Sequence, residues 1–472
     1  MDAVMNAISW LNDNIVWGMP MVILMIGTGI FLTILTKGSM FTKFNIMMRY
    51  TAKTLFQTVD KADLDEGAIT PFQAVCTALA ATVGTGNIVG VAVAIATGGP
   101  GAIFWLWISA LIGMVIKYCE VSLSMAYRTT NEKGEIVGGP MYYIDKGMGM
   151  KWLALLFAFF GGMASFGIGA SVQANALAGG LNATFGIDLR IIGVAVALMG
   201  ALIFIGGIKR IANVTEFLVP FMSILYIGGS LVALAVNFKE IPAAFALIFH
   251  DTFTGSAAMG GFAGATVMYA CRIGMARGVF THEAGMGSAP IAHASAHNDH
   301  PARQGLWGAM EVFFDSIVMC TITALVILTS GLWTDAAYVN DGRGMSATAF
   351  ENAFPYGQYI VTIGLVLFAF ATIVAWYYYG EKCIEYLFKG KIAIRVYQVV
   401  YTAMVYVGCV ASLDAVWEFA DLFNGLMAIP NLIALITLSG TVKKLNDDFF
   451  ADPDTKRPKG MEFSRLIQIK KK

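Results

Sequence analysis

Thr82-Val-Gly-Thr-Gly-Asn87 interrupts an apolar run that extends from about Pro71 to Ala81 and resumes from Ile88 to Ile95. The two flanks together are long enough for a membrane-crossing helix, which needs about 20 apolar residues. Two glycines, two threonines and an asparagine weaken a helix just where lipid demands that every backbone group bond internally. Two readings stand: a glycine-rich face on which helices pack, and a broken helix. In the second, carbonyls are left open at the end of one half and N–H groups at the start of the other. A cation and an anion can then sit side by side.

The surrounding composition is that of a polytopic membrane protein. Hydrophobic residues make up 57% of the chain and charged residues 13%, against roughly 25% charged in soluble domains. The six cysteines (Cys76, Cys119, Cys271, Cys320, Cys383, Cys409) fall in or beside apolar spans without a CxxC pair and read as packing residues. His293, His297 and His300 precede Pro301 in a polar stretch read as a solvated turn, not a ligand set. There is no nucleophile–base pair, metal-ligand cluster or nucleotide loop, so an enzyme is not expected. Nothing suggests a nucleic-acid partner or an obligate protein partner. The N-terminus lacks the basic region of a cleavable signal, so the first span is expected to stay.

Eleven spans are expected: about Val16–Thr36, the interrupted segment ending at Gly98, Ala102–Tyr127, Trp152–Gly180, Ile191–Ile208, Phe217–Val236, Ala257–Ala296, Trp307–Leu328, Tyr359–Tyr379, Ile392–Ala411 and Trp417–Ser439. The segment between Ala257 and Ala296 is too long and too rich in glycine for one straight helix, which predicts a second break around Arg277 to Thr281. Of the 31 Lys and Arg, only Arg190, Lys239 and Arg343 fall in loops assigned outside. Lys117, Arg272 and Arg277 fall within spans. The rest accumulate on one side, which predicts an external N-terminus and a cytoplasmic C-terminus. Setting the first span aside leaves two five-helix halves, each opening with an interrupted helix and entering from opposite faces. That is the pattern of an inverted-repeat transporter. The expected organisation is an extra helix and cytoplasmic amphipathic segment over 1–66, repeats over 67–240 and 241–440, and a charged tail over 441–472.

Two longer blocks carry a family resemblance. Gly98-Gly-Pro-Gly-Ala-Ile-Phe-Trp-Leu-Trp107, continuing Ile-Ser-Ala-Leu-Ile-Gly113, is similar to the signature of the sodium:alanine (alanine/glycine:cation) symporter family, with Leu106 in place of the usual Met. Arg277-Gly-Val-Phe-Thr-His-Glu-Ala-Gly-Met-Gly-Ser-Ala-Pro290 is a second family-like block, and the resemblance runs from about Trp10 to Gly440. It implies a leucine-transporter-like fold, a cell-membrane location, and import of small neutral amino acids (alanine, glycine) with sodium by alternating access. The alternatives are a proton-coupled or glutamine-type carrier, or, from another class, a passive channel.

A zwitterion needs an anion site, a cation site and a side-chain pocket. The N–H groups of Gly84, Thr85, Gly86 and Asn87 suit a carboxylate; Asn87 is read either as a cap on the break or as a ligand donor. Carbonyls near Ala276 to Val279, beside Gly278, suit an ammonium group. Gln173 is either an interhelical hydrogen bond or a substrate contact, and the resemblance favours substrate. Phe280 and Trp376 are the aromatics expected to limit substrate size. Sodium, the one expected coupling ion and the only cofactor-like species, takes oxygen ligands. Overlay on the implied fold gives the carbonyls of Ala80, Val83 and Ala369 with the hydroxyl of Thr372, although Thr372 alone reads as a threonine bonded back to its own helix. Lys117 and Glu120 are placed to pair at i,i+3. Glu283 is expected in the first turn of the second half-helix, and Glu283 or Asp315 is the alternative gate or proton carrier.

Overall fold

The computed structural model describes residues 2–54, 67–254, 267–338, 342, 344–411 and 414–454. After an N-terminal helix Asp2–Leu11, the main helices are α1 (Met19–Leu35), α2 (Pro71–Thr82), α3 (Gly86–Gly98), α4 (Ala102–Tyr127), α5 (Lys151–Phe185), α6 (Leu189–Phe204), α7 (Gly207–Val236), α8 (Ile241–Thr254), α9 (Val267–His282), α10 (Ala289–His293), α11 (Pro301–Ser330), α12 (Met345–Ala353), α13 (Gly357–Leu387), α14 (Lys391–Val410), α15 (Asp414–Leu426), α16 (Ala428–Thr437) and α17 (Ser439–Ala451). A two-residue antiparallel hairpin, Thr129–Thr130 with Ile136–Val137, follows α4.

Sequence chemistry sets the start of α2. Thr70 accepts from the Gln73 N–H at 3.0 Å, the Gln73 side chain accepts from the Thr70 N–H at 3.1 Å, and Pro71 opens the first turn. This reciprocal cap satisfies donors that the helix cannot. The helix ends where Val83 turns extended (ψ 92°), and α3 resumes bent by 50°. The interrupted segment is therefore a broken helix. The second break lies later than the sequence places it. α9 runs unbroken through Arg277 to Thr281, with Glu283 N–H donating to the Val279 carbonyl at 2.8 Å. The chain then leaves the helix at Glu283 (φ +51°), Gly285 (φ +92°) and Gly287 (φ +82°), and Pro290 opens α10. Left-handed backbone at successive positions cannot continue a right-handed helix. Glu283 thus sits inside the break and not in the first turn beyond it.

α4 packs along α9 and α11, and α13 lies against α2, α5 and α7, so both breaks face the buried centre. Next to that centre, the Ile69 N–H donates to the Ser295 carbonyl at 2.9 Å and the His297 N–H to the Ile69 carbonyl at 2.8 Å. This parallel bridge between Ile69 and Ala296 joins the entrance of the first broken helix to the exit of the second. Among the described residues, eight helices are long and apolar enough to cross a membrane, and the bent α2–α3 pair makes nine. α6 is apolar but shorter, at 16 residues. The expected count of eleven is not reached by that test, because α9 and α10 are split and α9 carries Arg272, Arg277 and His282.

Two further expectations are corrected. Lys117 pairs with Glu311 at 3.4 Å, not with Glu120, since Glu311 on the facing α11 comes closer than a residue one turn along the same helix. His293 and His300 are fully buried and hydrogen-bonded, not solvated. The start of the tail, α17, is a helix that buries Val442, Leu445 and Phe449; residues 455–472 lie outside the described residues.

Candidate functional site

The first break is built around Asn87. Its Oδ1 accepts from the Gly84 N–H at 2.9 Å, which closes the turn between the two half-helices. Its Nδ2 donates to Asp315 Oδ1 at 2.7 Å, with the Asp315 carbonyl at 3.2 Å and Cys320 Sγ at 3.3 Å. Both ends of this fully buried amide are thus engaged within the protein, the geometry of the capping role. Of the four N–H groups named from sequence, Gly84 donates to this cap. Thr85 and Gly86 open the second half, where first-turn N–H groups have no intrahelical acceptor.

Glycine is required at two positions by close approach. A Cβ on Gly84 would lie 2.9 Å from Thr372 Oγ1 and 3.7 Å from Gln173 Oε1. One on Gly86 would lie 2.8 Å from Thr281 Cγ2 and 3.4 Å from Phe280 Cδ1. Gly84, Gly86, Gln173, Phe280 and Thr372, separated widely in sequence, therefore converge on one break. Gln173 Nε2 donates to the Ile168 carbonyl at 3.2 Å, while Oε1 is buried without a hydrogen-bond partner among the described residues. An unsatisfied buried amide oxygen costs roughly 1–3 kcal/mol, so a donor arriving beside Gly84 would be held there.

Thr372 joins the other side. Its hydroxyl lies 2.9 Å from the Ala80 carbonyl oxygen and 3.0 Å from that of Phe368. One hydrogen is shared between two acceptors, so oxygens from α2 and α13 crowd one point. Ala369 is fully buried next to Phe368, and Val83, also buried, ends α2. Carbonyl and hydroxyl oxygens at a helix break are the donor type a hard monovalent cation takes. The back-bond to Phe368 is present as well, so both sequence readings of Thr372 have a partner.

Trp376, one turn beyond Thr372, donates from Nε1 to Glu283 Oε1 at 3.0 Å, and Ser288 Oγ donates to Glu283 Oε2. The α13 helix thereby touches both breaks, at Ala80 and at Glu283. Gly278 does not join this set. It faces α4, where an added Cβ would meet Ser109 Cβ at 2.7 Å. Sequence reasoning missed Thr281 and Ser316, whose hydroxyls lie 3.3 Å apart, with Ser316 donating to Asp315 Oδ2 at 2.7 Å. Asp315, an acid inside an apolar span, was the available signal. At one end of α9, Arg272 pairs with Asp13 at 3.5 Å, and the Arg277 guanidinium lies 5.9 Å from the Phe280 ring centre.

Comparison with known proteins shows which family the chain resembles and which fold it shares. The model of the sodium:alanine symporter family matches residues 1–463. The sodium/alanine symporter AgcS of Methanococcus maripaludis is 46% identical over 448 residues, covering 93% of this chain and 96% of that one. GlnT of Bacillus subtilis, described as a probable sodium/glutamine symporter, is 38% identical, covering 94% and 90%. Among solved structures, MhsT in complex with L-phenylalanine aligns with a TM-score of 0.56 at 13% identity, covering 85% of this chain and 95% of that one, a likeness of fold.

Proposed function

Because the chain belongs to the sodium:alanine symporter family, and so is a multi-pass membrane transporter and not an enzyme, we propose that it imports small neutral amino acids, alanine and glycine, together with one sodium ion. The observation that carries this reading is the unsatisfied, buried Oε1 of Gln173 beside Gly84, with the Thr372–Ala80 oxygens on the other side of the same glycine. In this reading the N–H groups of Thr85 and Gly86 receive the carboxylate, aided by the positive end of α3. Gln173 Oε1 accepts from the ammonium group. Phe280, against Gly86, and Trp376, held by Glu283, bound the side-chain pocket and keep it small. Sodium lies with the oxygens of Ala80, Val83, Ala369 and Thr372, one to two residues from the carboxylate site. Each charge therefore lowers the cost of binding the other, which is the coupling a symporter needs. The protein lies in the cell membrane with its C-terminus in the cytoplasm, in keeping with the lysine and arginine distribution.

The test is uptake of labelled alanine into proteoliposomes under an inward sodium gradient. Uptake should require sodium, rise when the interior is made negative, and be inhibited by glycine more strongly than by glutamine. One net charge per cycle is worth about 2.3 kcal/mol per 100 mV. Uptake without sodium, or stronger inhibition by glutamine, would overturn the assignment.

A further inference from the structure

Beneath the substrate site lies a second polar centre that the proposed transport chemistry does not use. Lys117 and Glu120 on α4, Glu311 on α11 and Tyr379 on α13 are all buried to within 1% exposure. Among the described residues, Lys117 Nζ and Glu311 Oε1, 3.4 Å apart, make no hydrogen bond, and Glu120 Oε2 and Tyr379 Oη also lack a partner. Lys117 and Glu311 both act electrostatically on Glu120, and Glu283 and Glu311 on Tyr379. Other titratable groups facing the centre are Cys119 beside Glu120, Tyr378 beside Tyr379, His282 and Glu283 at the second break, Asp315 on α11, His293 on α10 and Tyr143.

Partners separate these groups. Glu283 and Asp315 have donors on both oxygens. His293 has a partner on each ring nitrogen, the Gln304 amide at 2.8 Å from Nδ1 and Glu311 Oε2 at 3.2 Å from Nε2. Tyr143 donates to Asn431. Glu120 Oε1 accepts from the Gly285 N–H at 3.0 Å and from the Asn431 amide, but its other oxygen has nothing. Lys117 is paired with Glu311, so among the described residues the Glu120 carboxylate has no cation within ion-pair distance, and a charge there stands uncompensated in low dielectric. A proton on Glu120 removes that charge.

We propose that Glu120, a fully buried carboxylate on α4 with one oxygen unpartnered among the described residues, is a binding site for one exchangeable proton. The consequence is local: Glu120 Oε1 anchors the Gly285 N–H, so protonation of the group changes the grip on the second break.

pH-difference infrared spectroscopy of the full-length protein, without substrate or sodium, tests this independently of the transport assignment. Between about pH 9 and about pH 5 the carbonyl stretch of a protonated, dry carboxyl should appear. It should shift in protein grown on isotope-labelled glutamate and vanish in Glu120→Gln. If that variant does not fold, Glu120→Asp should move the band to the aspartic position. No band, a band untouched by glutamate labelling, or a band retained in Glu120→Gln would each overturn the proposal; ordered water alone gives the first result.

Discussion

The two breaks solve one problem by opposite means. The first is short: a 50° bend across Val83 to Thr85, closed by one side chain, Asn87, which caps Gly84 and anchors to Asp315. The second is longer, from Glu283 to Ser288, and rests on left-handed backbone at Glu283, Gly285 and Gly287. Glu120, Asn431 and Trp376 hold it from outside, and Ser288 bonds to Glu283 from within. One break is pinned at a single residue and the other is suspended from several. The first should therefore fail abruptly and the second by degrees.

Asn87→Ala should give the largest loss. It strips the cap from the Gly84 N–H and a donor from a buried carboxylate, costing roughly 3 kcal/mol, read as a fall in thermal midpoint of the purified protein. Trp376→Phe removes one of two donors on Glu283 and should cost less, about 1.5 kcal/mol. Equal losses would dissolve the contrast. Gly84→Ala sharpens it from the ligand side. A methyl 2.9 Å from Thr372 Oγ1 overpacks the site; about 1–3 kcal/mol of strain should lower the midpoint, and displacement of the Thr372 hydroxyl should reduce alanine affinity as well. Thr372→Ala deletes the hydroxyl on Ala80. Sodium affinity should fall severalfold, and alanine affinity at low sodium should fall with it and recover at high sodium; a wild-type sodium dependence would leave only the back-bond to Phe368.

The smallest effect lies away from both breaks. Burial would raise the Glu135 carboxyl, but the Lys382 ammonium at 2.7 Å and the Asn131 amide outweigh it and hold the group below its usual range. A depressed carboxyl stabilises the fold above its unfolded value and loses that contribution as pH falls through the folded one. Protection of the hairpin amides relative to their intrinsic exchange rate should fall on acidification below about pH 4. Glu135→Gln should abolish that dependence at a cost under about 1 kcal/mol.

The first break was legible because Thr82 to Asn87 sits in an otherwise apolar run, and residues that weaken a helix stand out there. The partner of Asn87 was not, since Asp315 is 228 positions away. The second break was misplaced because Gly278 and Gly285 look alike in sequence. Gly278 serves close packing on Ser109, whereas Gly285 supplies a left-handed φ, and only three-dimensional context separates the two uses. Lys117 misled for a related reason: its i,i+3 neighbour is visible, while Glu311 is brought to it by the packing of α11 on α4. Gln173 was named correctly as a buried amide in need of partners. That one of its oxygens would remain unpaired beside Gly84 depended on how α5 and α2 meet.

The parallel bridge between Ile69 and Ala296 has a consequence for how such a chain can vary. Its two hydrogen bonds are made by backbone alone, so most side-chain replacements at either position leave them intact. What they fix is spacing: Ile69 stands two residues before Pro71, and Ala296 three after His293. Slipping one strand by a single residue would reverse which side chains face inward and would displace the cap at Thr70 or the histidine at 293. Substitutions that keep the buried volume of Ile69 and Ala296 leave the bridge intact, whereas insertion or deletion does not. Drift in this region should therefore show as changes of residue at constant length.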